Sequence, residues 1–220
     1  MLDDFFVGSL ILTSIVAVAF AVERGLALRW KKVVPPQVEH AVDNFNNAAD
    51  LPLVRAACEQ NPSATSRLLL VVLNHLRGPR AETVDALETK ARHEVTLLEK
   101  WLVILEIIVG ISPLLGLVGT VYGLIILFSG LSKNALGDYS QLARGIGLAL
   151  HTTLMGLLIA IPSLIAWSYY TRKVETLTIE METICDEFMR RAYRKGDGRA
   201  DAGSPQAQQS GAKAGQPKTS

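Results

Sequence analysis

The chain has 220 residues, 49% of them hydrophobic, and its 22 basic and 21 acidic side chains leave a net charge of +1. That balance removes the electrostatic case for nucleic acid as a partner. The sequence also lacks the P-loop, dinucleotide, zinc-protease and nucleophile-elbow patterns, so no enzymatic chemistry, cofactor or metal is expected.

The apolar residues fall into three runs with the charges between them. The opening residues, MLDD, are acidic and lack the basic segment of a cleavable signal, so the run Phe5 to Val22 reads as a retained first span. Glu23-Arg24 ends it, and Arg29, Lys31 and Lys32 follow. Lys and Arg concentrate on the cytoplasmic side of membrane proteins, so residues 1–29 are expected to run from outside to inside. Pro35-Pro36 stops this helix.

Residues 30–100 read as a cytoplasmic helical region. Its candidate helices are Gln37–Ala48, Leu53–Glu59 and Ala64–Arg77, the last with Ser63 as N-cap and closed by Gly78-Pro79. The run Leu68 to Leu73 is too short to cross a bilayer and is expected to pack against neighbouring helices. From Ala81 onward, Val84, Leu87, Ala91, Val95, Leu98 and Leu102 repeat at three- and four-residue steps. This amphipathic period meets no stop before the membrane, which predicts one rod from about 81 to about 129.

The second span, 101–130, carries one charge, Glu106, and a stripe of small residues: Ser112, Gly116, Gly119, Thr120 and Gly123. Small residues let membrane helices approach closely, and Pro113 is tolerated where neighbours satisfy the carbonyl it frees. Residues 131–144 read as a short outer connection holding Lys133, with Arg144 as an anchor at the outer interface. The third span, 145–170, has its own stripe: Gly145, Ala149, Thr152, Thr153, Gly156, Ala160 and Ser163. Trp167, Tyr169 and Tyr170 mark its inner interface, and Arg172 and Lys173 its cytoplasmic end. Val174, Leu177, Met181, Ile184 and Phe188 continue an apolar seam along a cytoplasmic helix over 171–195. Residues 196–220 have the composition of a disordered tail. Cys58 and Cys185 lack metal-ligand spacing and read as free thiols in a reducing compartment. The expected fold is therefore all-α: three transmembrane helices, the second and third extending into a helical cytoplasmic domain.

Two segments carry more than packing. The second span reads Pro113-Leu-Leu-Gly-Leu-Val-Gly-Thr-Val-Tyr-Gly123, and the third Ala149-Leu-His-Thr-Thr-Leu-Met-Gly-Leu-Leu-Ile-Ala-Ile-Pro162. Together with the Glu23-Arg24-x-x-Ala-Leu28 ending of the first span, they resemble the ExbB/TolQ/MotA proton-channel family, and the loop lengths favour its ExbB/TolQ branch. The resemblance implies a multi-pass protein of a Gram-negative inner membrane. It further implies a homo-pentamer in lipid around an ExbD/TolR-like single-span partner, driving a TonB- or TolA-like protein with the proton motive force.

On that reading Thr120, Thr152, Thr153 and Glu106 line the ion path, since hydroxyls hold waters in a low-dielectric lumen. Ser112, Pro113, Gly116, Gly119, Gly123, Ala149, Gly156 and Ala160 serve helix packing. One departure stands out: the third-span Glu usual in ExbB and TolQ aligns with Leu148 here, which shifts the expected titratable acid to the partner's helix. Glu106 is read either as a proton exit or as an interfacial acid paired with Lys100 or a neighbouring subunit's Arg. His151 is read either as a relay or as a packing residue pointing away from the small stripe. The competing function is a non-conducting scaffold for a single-span partner. An independent carrier lacks the repeats and midplane polar site it needs.

Overall fold

Long apolar runs dictate long helices, because lipid offers the backbone no hydrogen-bond partners and only a helix satisfies every group within one segment. A computed structural model describes residues 2–131 and 139–201. Among these the chain is helical, in the order α1 (Leu2–Ala27), α2 (Trp30–Val33), α3 (Pro36–Asp43), a 3-10 turn (Ala48–Asp50), α4 (Leu51–Gln60), α5 (Ala64–His75), α6 (Arg80–Glu99), α7 (Leu102–Leu131) and α8 (Tyr139–Asp201). Three of these helices, α1, α7 and α8, are long and apolar enough to cross a membrane. In the first two the candidate spans are Val7–Ala27 and Leu102–Ser129. The protein is an all-α membrane protein.

The chain forms two units. One comprises Met1–Val33 and Arg92–Ile179, the other Val34–Ala91 and the chain from Glu180 onward. In the first unit the spans hold their prolines without breaking. Ser112, beside Pro113, donates its hydroxyl to Ile108 O at 2.7 Å, and Ser163, beside Pro162, donates to Ile159 O at 2.7 Å. The rod expected over 81–129 is interrupted at Lys100-Trp101, between α6 and α7. Lys100 N still reaches Thr96 O at 3.0 Å, but Arg24 Nη1 donates to Leu98 O at 3.1 Å. That carbonyl is the one an unbroken helix would offer to Leu102 N, so a side chain of α1 satisfies what the break leaves open. The Trp101 ring stacks on Phe20, with centroids 5.8 Å apart.

In the second unit, Val34, Val38, Val42, Val54, Leu68, Leu69, Val72, Met181 and Phe188 form a buried core, closed by an edge-to-face contact between Phe45 and Phe188 at 5.0 Å. The run at Leu68 to Leu73 contributes Leu68, Leu69 and Val72 to it. Ser63 caps α5 as the sequence predicts, its Oγ accepting from Ser66 N at 3.0 Å. Helix α3 stops at Asp43, five residues short of the expected Ala48. Two groups end it: Arg191 Nη1 donates to Val42 O and Asp43 O, and the Asp50 carboxylate accepts from the Asn46 and Asn47 amides. Helix α5 likewise ends at His75 rather than Arg77, and Thr83 Oγ1 donates to the His75 carbonyl at 3.1 Å. Thr83 is fully buried and also shares a 2.7 Å hydrogen bond with the Tyr193 hydroxyl.

Both thiols lie in this unit, buried and unbridged. Burial pushes Cys58 up to about 11 and Cys185 to about 12, from an ordinary 9.0, with neighbouring negative charge adding to the rise. Half of the connection expected over 131–144, residues 132–138, lies outside the described residues, and α8 is already helical at Tyr139. That helix also continues through Asp201, past the expected start of the tail at 196, while residues 202–220 lie outside the described residues.

Candidate functional site

The two small-residue stripes meet each other within one chain. A Cβ built on Gly156 would stand 2.6 Å from Ser112 O and 3.2 Å from Gly116 Cα, and one on Gly116 would stand 3.0 Å from Thr152 O. Farther along, Gly119 faces the Thr152 side chain and Gly123 faces Ala149 and Gly145. The backbones of α7 and α8 therefore touch, which glycine permits and any larger residue would prevent. Ser112, Ala149, Thr152, Ala160 and Ser163 are buried along this seam, while Pro113 sits at its half-exposed margin. The stripes thus face inward between two helices of the same chain rather than lining an open space.

This geometry separates the three threonines that the sequence groups together. Thr152 is 3% exposed, its Oγ1 donating to Ala149 O at 2.9 Å, and it belongs to the seam. Thr120 and Thr153 lie one residue beyond the seam positions Gly119 and Thr152, and both are half-buried. Thr153 Oγ1 reaches across to Gly116 O at 3.4 Å, and Thr120 Oγ1 donates to Leu117 O at 2.6 Å. Helical spacing on two antiparallel helices sets these two hydroxyls on the same edge of the pair. Glu106 shares that edge. It is exposed, lies fourteen residues before Thr120, and so stands about 21 Å away along the axis and within about 40° in azimuth.

Helix α1 covers the opposite edge. It packs along α7, and together with α8 it lines a cleft of about 250 Å³ with Val7, Leu10, Ser14, His151, Met155 and Ile159. His151 therefore faces α1, on the far edge from Thr120, Thr153 and Glu106. The edge with both hydroxyls and the carboxylate is left uncovered in the single chain.

Sequence reasoning missed the work of Arg24. Its guanidinium is 4% exposed and forms a two-pronged pair with Glu23, at 2.8 and 3.1 Å, while its third contact is Leu98 O. Close by in sequence, the Tyr170 hydroxyl donates to Ala21 O at 2.7 Å, and a Cβ on Gly25 would meet that hydroxyl at 2.9 Å. These contacts tie α1 to α8 and to the end of α6 that leads into α7. The only sequence signal was the Glu23-Arg24 ending itself, and the distant partner of Arg24, Leu98, lies 74 residues away. Glu94 on α6, 1% exposed, is a second buried charge that the amphipathic pattern did not mark.

Residues 60–183 match the family model described as the MotA/TolQ/ExbB proton channel family. An ExbB-like biopolymer transport protein of Synechocystis sp. is 35% identical over 181 residues, covering 76% of this chain and 69% of that protein. The biopolymer transport protein ExbB of Aquifex aeolicus is 32% identical, over 54% of this chain and 80% of its own length. The Tol-Pal system protein TolQ of Pseudomonas aeruginosa is 29% identical over 85% of this chain and 86% of its own. With three spans, tightly apposed second and third helices and a match across more than half its length, the chain belongs to the MotA/TolQ/ExbB proton channel family.

Proposed function

We propose that the protein is an inner-membrane energy transducer in which several copies, five by analogy with the family, surround a single-span ExbD/TolR-like partner. The observation that carries this reading is the shared edge of Thr120, Thr153 and Glu106, opposite the edge that α1 covers. An uncovered edge holding two hydroxyls and one carboxylate in an otherwise apolar span is costly in lipid. It becomes favourable when copies turn these edges toward a common, partly hydrated axis. Hydroxyls at the lumen wall hold waters for proton passage without carrying charge themselves.

The third span offers no carboxylate: Leu148 stands where the family resemblance implies a Glu. In this reading the titrating acid is on the partner's helix, and Glu106, near the end of α7 that adjoins α6, is the exit group. Thr152 contributes to the seam and not to the path. The downstream client is a TonB- or TolA-like protein spanning the envelope.

Proton flux into liposomes holding this protein and its partner tests the reading. Flux that requires both proteins and an acid on the partner's span supports it. Complete assembly with no flux supports the alternative, a non-conducting scaffold.

A further inference from the structure

Immediately after the first span the chain presents a cluster of cations that no acid among the described residues neutralises. Helix α1 ends at Ala27, Leu28 is fully buried, and Val33 is buried again. Between these anchors Arg29, Trp30, Lys31 and Lys32 are all exposed, and Lys32 N bonds to Arg29 O at 2.9 Å. The four residues thus form one turn pinned at both ends, which groups three positive charges within a helical turn of each other. The acid nearest in sequence, Glu23, is already engaged by the buried Arg24. None of the three cations has an ion pair among the described residues. By contrast, the cations after the third span are partnered: Arg172 faces Glu175 at 3.7 Å, and Lys173 lies over the Tyr169 ring at 5.7 Å.

Trp30 is 41% exposed in the middle of the cluster. An indole flanked by cations at the end of a span is suited to the headgroup level, where its ring is half in hydrocarbon and its N–H meets polar groups. We infer that Arg29, Trp30, Lys31 and Lys32 form a binding site for the headgroup of an anionic phospholipid in the leaflet that this end of α1 meets. The charges of the two surfaces are complementary. The anchored turn also spares the site the ordering cost that a loose basic tail would incur.

Native mass spectrometry of the full chain in detergent, titrated with phosphatidylglycerol or phosphatidylcholine, tests this. The wild type is expected to retain phosphatidylglycerol preferentially. Arg29→Gln/Lys31→Gln/Lys32→Gln is expected to lose at least tenfold in that retention, each cation contributing about fivefold, while Arg172→Gln keeps it. Helix content by circular dichroism establishes that the triple variant is folded. In case it is not, raising the salt concentration on the wild type gives the second readout, and retention is expected to fall. Unchanged preference in a folded triple variant, or retention indifferent to salt, overturns the inference. Displacement of the lipid by millimolar inorganic phosphate overturns its lipid source.

Discussion

Gly119 and Thr152 approach so closely across the α7–α8 seam that a Cβ on the glycine would fall 2.6 Å from Thr152 Oγ1 and 2.7 Å from its Cβ. Thr152 is β-branched and buried, with its hydroxyl bonded to Ala149 O, so turning it aside would break that bond and disturb the seam. Gly119→Ala should therefore destabilise the protein by about 1–3 kcal/mol, the usual cost of overpacking. Gly110 lies on the same helix, and a Cβ there meets nothing within 4 Å. Gly110→Ala should be neutral or stabilise by up to about 1 kcal/mol through helix propensity. Thermal unfolding of the two variants in one detergent compares them directly, and equal effects would remove the seam from the account.

Arg24 joins α1 to the break between α6 and α7. Arg24→Gln leaves the Leu98 carbonyl without its charged donor and should cost about 2 kcal/mol, the scale of a hydrogen bond to a charged group. Arg24→Lys keeps the charge but loses the fork that holds Glu23, so it should recover only part of the loss. Unfolding midpoints of the three proteins should rank wild type, Lys and Gln in that order.

The thiols give a pH dependence in the second unit. Cys58 and Cys185 are held neutral by burial, up to about 11 and about 12, whereas an unfolded thiol ionises near 9.0. A folded-state value raised above the unfolded one contributes stability that is complete below pH 9 and is lost as pH rises toward the folded values. Denaturant midpoints should thus be unaffected by these groups at pH 7–8 and fall from pH 9 to 11, with a smaller fall in Cys58→Ala/Cys185→Ala. Iodoacetamide at pH 8 should leave both thiols unmodified until the protein unfolds.

Glu106 separates transport from assembly. It is exposed at the α6 end of α7, away from the seam, so Glu106→Gln should leave the amount of assembled protein unchanged and reduce partner-dependent proton flux. Full flux in this variant would remove the exit role. His151 faces α1, so His151→Ala should conduct like the wild type.

The three spans and the small-residue stripes were legible in the sequence because hydropathy and helical spacing are local properties of a run. So was the cap at Ser63, which acts over three residues. What stayed hidden was set by distant partners. The stop at Lys100-Trp101 depends on Arg24, 74 residues before Leu98, and the early end of α3 depends on Arg191, about 150 residues on. Spacing alone groups Thr120, Thr152 and Thr153 on one ion path, because a stripe does not say which of its hydroxyls a neighbouring helix covers. Only the partner's position shows that Thr152 belongs to the seam while Thr120 and Thr153 fall on its uncovered edge.

That edge is most directly tested by cysteine accessibility in a Cys58→Ser/Cys185→Ser background, using a membrane-impermeant methanethiosulfonate in proteoliposomes. Thr120→Cys and Thr153→Cys should react when the partner is absent and become protected when its helix is present. Leu158→Cys, 56% exposed on the opposite edge of α8 from Thr153, should stay unreactive in both cases because on this account that edge meets lipid and not a hydrated axis. Reaction at Leu158→Cys with none at Thr120→Cys or Thr153→Cys would contradict an axis lined by the uncovered edge.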